Sequence, residues 1–193
     1  MILTPRLRRG VATAAIAGAA ILLPAVALAS SAGTSAHTTA ARSAAAPRCV
    51  RGYLTSWLGV PGSGAAGSSY YELEISNVSG QTCTLYGFPG VSARGSGGRQ
   101  LGSAALRSPG YTELTVTLAP YQTAHVVLQI TDTGNFSPSA CRPATADSLR
   151  VYAPGDYTPI TVPFSFLACA AKGPIFLHVS PTLAGTGIPG YSS

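Results

Sequence analysis

The chain has 193 residues and a formal net charge of +6, from 12 Lys and Arg against 6 Asp and Glu. Charged residues make up only 9% of the sequence, whereas about a quarter is usual in soluble domains. The basic residues are scattered and form no cluster with interleaved aromatics, which argues against a nucleic-acid partner. We therefore expect a surface built from Ser, Thr, Gly and Tyr, which suits the outside of a cell.

The first 29 residues have the parts of a secretory signal peptide. A positive start is followed by an apolar or small segment from Val11 to Leu23 and by a break at Pro24. Ala27-Leu28-Ala29 supplies the small residues after which signal peptidase cleaves, so residues 1–29 are predicted to be removed near Ser30. The alternative is an uncleaved anchor, because the apolar segment approaches the shortest length that spans a bilayer.

Cleavage would also change the charge of the chain. Without Arg6, Arg8 and Arg9, nine basic and six acidic residues remain, a net charge of +3. We expect a secreted protein, associated with the cell wall where anionic polymers attract it, without stable membrane insertion. No lipobox cysteine stands directly after Leu28, where the residue is Ala29, so no lipid anchor is expected.

The rest of the chain divides into three parts. Residues 30–48 are so rich in Ala, Ser and Thr that they are predicted to be a disordered tether. Residues 49–183 alternate apolar runs with Gly and Pro, and their length suits one domain that buries roughly two-thirds of its unfolded surface. Residues 184–193 are predicted to be a Gly- and Pro-rich tail.

Four cysteines lie in the exported part, and an even number there favours disulfides over metal binding or catalysis. No C-x-x-C motif occurs, which removes the redox and zinc-ribbon interpretations. Three pairings are formally possible. We favour pairing of neighbours, because each loop would then be closed locally and would contribute about 3 to 4 kcal/mol. The favoured pairs are Cys49 with Cys83 and Cys141 with Cys169.

Residues 70–77 (YYELEISN) have the clearest strand pattern. Their alternation predicts an inward face and an outward face. The inward residues are Tyr71, Leu73 and Ile75, and the outward residues are Glu72, Glu74 and Ser76. A turn at residues 78–81 leads into a second strand, residues 82–86, with Cys83 and Leu85 inward. We predict that these two strands form a hairpin.

Further alternating segments are bounded by Pro or Gly. They are residues 112–118, 124–131, 149–152, 161–168 and 175–179. Leu114, Val116 and Leu118 are predicted inward in the first, and Val126, Leu128 and Ile130 in the second, with His125, Val127 and Gln129 outward. Residues 119–122 join these two strands. Pro163 predicts that its strand lies at a sheet edge or contains a bulge, because proline cannot donate a backbone hydrogen bond.

These seven or eight short strands predict two antiparallel sheets packed face to face. The expected fold is all-β, an immunoglobulin-like β-sandwich stapled by two disulfides. A Greek-key β-barrel is the alternative, because periodicity gives the inward face of each strand but not how the sheets close.

One glycine-rich segment, Gly62-Ser63-Gly64-Ala65-Ala66-Gly67, matches G-x-G-x-x-G. A dinucleotide site needs a strand before this motif and a helix after it. Here a strand follows, so we predict a flexible loop and no cofactor. A metal site needs several converging donors, and His125 and His178 would be neighbours only if their strands pair, so no metal site is predicted.

Catalytic motifs are absent as well, since no G-x-S-x-G occurs. Glu72 and Glu74 have a spacing that could mimic an acid and base pair, although the polar side of an amphipathic strand explains them. The sequons at Asn77 and Asn135 are interpreted as turn chemistry. Exposed tyrosines are typical of binding surfaces. A speculative binding surface is therefore assigned to Tyr70, Tyr86 and Tyr152.

Several motifs together carry a family resemblance. They are Gly64-Ala65-Ala66-Gly67 before a strand, residues 77–80 leading into Cys83-Thr84-Leu85-Tyr86-Gly87-Phe88-Pro89-Gly90-Val91, then Leu118-Ala119-Pro120, Cys141, Leu149-Arg150-Val151 and Cys169. The chain thereby resembles the actinobacterial exported proteins grouped as domain of unknown function number 4232. The resemblance implies a secreted or wall-associated β-sandwich with two disulfides, no assigned activity and no catalytic residues. Tyr121 departs from it, because that position is usually Gly.

These observations predict a non-catalytic extracellular module that binds a protein, peptide or glycan. One alternative is a secreted protease inhibitor, although the cysteine spacing differs from that of the subtilisin-inhibitor family. The other is an extracellular hydrolase that uses Glu72, Glu74 or His125.

Overall fold

Strands make up most of the computed structural model, which describes residues 45–187. The strands are β1 (Leu54–Ala65), β2 (Ser68–Asn77), β3 (Cys83–Tyr86), β4 (Gly90–Arg94), β5 (Gln100–Leu101), β6 (Leu106–Arg107), β7 (Thr115–Leu118), β8 (Thr123–Thr131), β9 (Pro143–Tyr152), β10 (Ile160–Cys169), β11 (Leu177–Val179) and β12 (Leu183–Ala184). The predicted signal peptide, most of the predicted tether and the end of the predicted tail lie outside the described residues.

Helical segments are short. Three are single 3-10 turns, and α1 is one turn of α-helix; they span Arg51–Tyr53, Ser96–Gly98, Thr133–Asn135 and, for α1, Pro138–Cys141. Within residues 45–187, none of them has the length and apolarity to cross a membrane.

The strands form three sheets. The largest has the order β1-β2-β8-β11-β6, with β12 also paired to β8; the second has the order β10-β9-β4-β5, and the third is the pair β3-β7. All pairs are antiparallel except β11 with β6. The described strands do not close a barrel, so the all-β sandwich predicted from the sequence is confirmed. Pro163 lies in β10, an edge strand whose register shifts between Pro163 and Phe166, as expected for a proline in a sheet.

The core lies between the faces that alternation predicted. Leu73 and Ile75 of β2 are fully buried, as are Val126 and Leu128 of β8. From the second sheet, Val91, Ala93, Leu149 and Val151 are buried. Disulfides join Cys49 to Cys83 and Cys141 to Cys169, all four buried, which are the pairs favoured from the sequence.

The predicted hairpin between residues 70–77 and 82–86 is wrong. β2 pairs with β1 and β8, whereas β3 pairs with β7 in a different sheet. The chain therefore passes from one sheet to another after β2, and it passes back in the same way between β7 and β8. The alternation of apolar and polar residues predicts which side chains face inward, but it does not predict which strand pairs with which.

Asn77 holds the two crossing connections together. Its Nδ2 donates toward the carbonyl oxygens of Gln81, Leu118 and Ala119 at 2.7, 3.1 and 3.2 Å. Its Oδ1 accepts from the backbone and the hydroxyl of Ser79. The side chain has no exposed surface, so this sequon asparagine serves turn chemistry.

Backbone bonds complete the crossing. The Asn77 N–H donates to Gln122 O at 2.9 Å, and the Tyr121 N–H donates to Asn77 O at 2.8 Å. The Gln122 N–H also donates to Ala119 O, with Pro120 second and Tyr121 third in the turn. Tyr121 has φ +66°, the left-handed value that position i+2 of a type II turn requires and that glycine adopts most easily. The departure from the family pattern therefore falls on a strained residue.

Strand β1 was not predicted. Its sequence, LTSWLGVPGSGA, contains Gly and Pro and does not alternate. β1 is an edge strand with register shifts on both sides of Pro61, and edges and bulges are where a sheet tolerates proline.

The glycine-rich motif is also different from its prediction. Gly62 to Ala65 belong to β1 rather than to a flexible loop, and Ala66 and Gly67 form a two-residue hairpin turn into β2. Both turn residues have positive φ, +43° and +79°, as a type I′ turn requires.

One predicted inward residue is misplaced. β7 begins only at Thr115, and Leu114, which precedes it, is 64% exposed. Val116 and Leu118 are buried as predicted. Leu114 has no strand partner, so the alternation does not extend to it.

Removing the Asn77 amide should be costly. Asn77→Ala removes the amide that three carbonyl oxygens at the crossing share, although Ala119 O keeps the Gln122 N–H and Gln81 O keeps the Ser79 hydroxyl. We expect the free energy of unfolding to fall by about 2 to 3 kcal/mol. Asn135→Ala is the matched control, because that exposed amide donates only to Gly67 O and its loss should cost about 1 kcal/mol or less. Urea unfolding followed by the fluorescence of the one tryptophan, Trp57, measures both. Equal losses would contradict the role given to Asn77.

The strain at Tyr121 gives a change of opposite sign. Tyr121→Gly relieves about 1 to 2 kcal/mol of left-handed strain. It also costs about 0.4 to 1 kcal/mol of stability, because glycine gives the unfolded chain more conformational freedom. Because the ring is 78% exposed, we expect a net gain in the free energy of unfolding of up to about 1 kcal/mol. Tyr111→Gly, at a position without positive φ, should lower it. A loss for both variants would show that Tyr121 is not strained.

Candidate functional site

Two carboxylates and a histidine meet on the outer face of the largest sheet. Glu74 of β2 lies directly opposite His125 of β8, and Glu72 lies two residues along the same strand face. On the other side of β2, Gly59 leaves room for the Glu74 carboxylate, since a Cβ there would lie 3.3 Å from Glu74 Oε1. The topology thus gathers the residues that a hydrolase would need.

The start of the predicted tail covers this cluster. β12 pairs with β8 beside His125, and residues 184–187, the C-terminal strap, continue across the sheet face. His125 Nδ1 lies 2.8 Å from Gly185 O, and the Gly187 N–H donates to Glu74 Oε1 at 3.2 Å. Gly187 packs so closely on Glu72 that a methyl group there would overlap the carboxylate.

Glu72 and Glu74 therefore lie on the outward face as predicted, but the prediction that this face is solvated is wrong. Glu74 has no exposed surface and Glu72 is half-buried. The strand alternates as expected, but the sequence pattern of β2 contains no sign that a segment more than 100 residues later, 113 at the Gly187 bond, lies on its polar face.

Burial raises the pKa of both carboxyl groups. For Glu72 the nearby His125 opposes the effect. For Glu74 the Gly187 N–H and His125 oppose it, and the charge of Glu72 adds to it. The Oε2 atoms of both residues are buried without a hydrogen-bond partner, an arrangement that favours neutral carboxyl groups.

The histidines share a sheet face but do not meet. β8 and β11 pair, which places His178 opposite Gln129, four residues along β8 from His125. At about 3.3 Å per residue this is roughly 13 Å. In residues 45–187 no group of three His, Cys, Asp or Glu side chains could hold a metal ion.

The three tyrosines assigned to a binding surface lie on three different sheets. Tyr70 is in β2, Tyr86 is at the end of β3 and Tyr152 is at the end of β9. Tyr86 is 59% exposed, and Tyr70 and Tyr152 are half-buried. Of the three, Tyr152 lines an open groove of about 560 Å³.

This aromatic groove is built from turns at one end of the sandwich. Its lining residues are Phe88, Gly90, Arg107, Tyr152, Ala153, Gly155, Asp156 and Tyr157. Unlike the carboxylate cluster, this groove has no residue of the strap in its lining.

A type II turn presents Tyr157. The Asp156 N–H donates to Ala153 O at 2.9 Å, with Pro154 second and Gly155 third at φ +73°, the residues that this turn prefers. Asp156 Oδ1 then accepts the Thr158 N–H at 2.9 Å. Between these two bonds Tyr157 projects with 92% of its surface exposed, so the turn holds its backbone while its ring points into solvent.

Phe88 is fixed by the turn between β3 and β4. Gly87 O accepts both the N–H and the hydroxyl of the buried Thr182, at 2.9 and 3.2 Å. Gly90 lies beside the Tyr152 ring, which a Cβ would approach to 3.4 Å. The small residue thus lets the Tyr152 ring lie against the backbone.

Arg107 lies on the Phe88 ring. Its guanidinium carbon is 5.2 Å from the ring centroid, within the range of a cation–π contact. The backbone of Arg107 is held by its parallel pairing to Val179 in β11. The sequence analysis did not predict Phe88, Arg107 and Tyr157 as binding residues. The one local signal was Pro154-Gly155, which predicts a turn, and Tyr157 is the residue that follows that turn.

The carboxylate cluster predicts a pH dependence of stability. Because the folded pKa values are raised, stabilisation by the neutral carboxyl groups is complete below the ordinary Glu pKa of about 4.3 and is lost as pH rises through the raised values. Glu74→Gln stays neutral, so its free energy of unfolding should improve relative to the native protein between about pH 4 and about pH 7.

Chemical unfolding at both pH values measures this difference. Asp147→Asn, which removes an exposed carboxylate of β9, is the control and should keep the native profile. If Glu74→Gln lost stability relative to the native protein as pH rose, Glu74 would be charged and stabilising beneath the strap.

Comparison with known proteins gives one family. The model described as "Domain of unknown function (DUF4232)" matches residues 49–181. No curated protein and no solved structure matches the chain.

Proposed function

Because the chain belongs to the DUF4232 family, whose description names no activity, we propose a function from its geometry: a non-catalytic extracellular module that binds a glycan, peptide or protein through the aromatic groove. Aromatic side chains supply large contact areas at low entropic cost. They are concentrated, with Arg, at binding surfaces.

The observation that carries this proposal is an exposed aromatic ring, that of Tyr157, on a backbone that hydrogen bonds hold, beside two half-buried rings. Tyr157 is 92% exposed at the tip of a hydrogen-bonded turn. Phe88, in the turn between β3 and β4, and Tyr152, at the end of β9, line the same groove. Because the backbone is already held, only the two side-chain torsions of the Tyr157 ring have to be ordered when a ligand binds, which limits the entropic cost.

The carboxylate cluster favours the same function over hydrolysis. A general acid or base must come within hydrogen-bond reach of its substrate, but Glu74 is fully buried and its Oε1 already accepts the Gly187 N–H.

The two buried disulfides support the extracellular setting. Disulfides persist in oxidising compartments, and each closes a loop, with separations of 34 and 28 residues, that would stabilise the fold by about 3 to 4 kcal/mol. Together with the predicted signal peptide, they support secretion.

Arrays of glycans and of peptides, probed with the full chain, test the proposal. We expect a ligand at micromolar concentration whose affinity falls at least about tenfold in Tyr157→Ala, since exposed aromatic anchors dominate such contacts.

Tyr121→Ala is the matched control. It removes another ring, 78% exposed, that lies near the other end of β3 and β7, and it should bind as the native protein does. Absence of any ligand, or equal losses in the two variants, would refute the groove as the binding site.

A further inference from the structure

We propose that the aromatic groove recognises a carboxylate-bearing glycan, with Arg107 binding the carboxylate. This inference rests on the proposed function and names the ligand class of the same site. It comes from the placement of Arg107 among aromatic rings, with the guanidinium of Arg48 close to Gly155 of the same groove.

Arg107 is exposed and is free to bind an anion. Its guanidinium stacks on Phe88, and within residues 45–187 it forms no ion pair with a carboxylate. Asp156, which lines the same groove, uses Oδ1 to accept the Thr158 N–H. A cation–π contact uses none of the guanidinium N–H groups as hydrogen-bond donors to a carboxylate, and these groups match the two oxygens of a carboxylate.

The surroundings of Arg107 favour a sugar over a peptide that adds a strand to a sheet. Such peptides are held by main-chain hydrogen bonds to an exposed strand edge. The groove is lined instead by turn residues and strand ends, and three of its lining residues, Phe88, Tyr152 and Tyr157, are aromatic. Flat ring faces beside a cation suit a saccharide that carries an acidic group.

Isothermal titration of the full chain with tetragalacturonic acid and with its methyl ester tests the charge directly. The two probes have the same sugar rings and differ in the carboxylates alone. We expect the acid to bind at least about tenfold more tightly than the ester, as charge-assisted bidentate bonds would give. Arg107→Gln should abolish this difference, and Arg107→Lys should retain only part of it.

Arg99→Gln is the matched control, because it removes an exposed positive charge at the opposite end of β4 from Gly90. It should keep the preference for the acid. Equal loss in Arg99→Gln and Arg107→Gln would show a general charge effect and would overturn the inference.

Other results overturn the inference without touching the proposed function. If the acid and the ester bound equally and both were lost in Tyr157→Ala, the groove would be a binding site without carboxylate recognition. Tighter binding of tetraglutamate than of the acidic sugar would assign the groove to peptides. If neither sugar bound, this ligand class would be wrong, and the arrays would decide the proposed function separately.

Discussion

The crossing at Asn77 is the constraint on which the sandwich depends. Two connections pass between sheets there, and one buried amide bonds to carbonyl oxygens of both. Because β2 is thereby directed to β8 and β3 to β7, the chain after β3 emerges at the far end of the small sheet. The turn that carries Phe88 begins at that point, so the aromatic groove follows from the crossing.

Local patterns predicted what local physics determines. Alternation gave the buried faces of β2 and β8, four cysteines gave two disulfides, and Pro163 indicated an edge strand. Strand pairing was not predictable in the same way, because the paired residues of β2 and β8 are far apart in the sequence, from Ser68 with Thr131 to Ser76 with Thr123. The role of Asn77 in the crossing was also hidden, because its sequence context is that of a glycosylation sequon. β1 was missed because an edge strand with bulges has no need of alternating side chains.

The candidate sites show the same division. Glu72 and Glu74 were found in the sequence, but their burial depends on the C-terminal strap, which contacts them only in the fold. The groove gathers Phe88, Arg107 and Tyr157 from three separate segments, and no spacing joins them. In both cases the sequence shows the residue types, but it does not show which residues lie next to one another in the fold. The strap covers the acidic residues, whereas the turns leave the rings exposed, so the two surfaces suit different roles.

A nuclear magnetic resonance titration of the isotope-labelled full chain with tetragalacturonic acid tests most directly where the protein meets a ligand. We expect the largest shift changes at the amides of Gly90, Arg107, Gly155 and Tyr157, which belong to the groove. Changes centred on Glu72, Glu74 and His125 instead would contradict this assignment and would make the covered sheet face the binding surface.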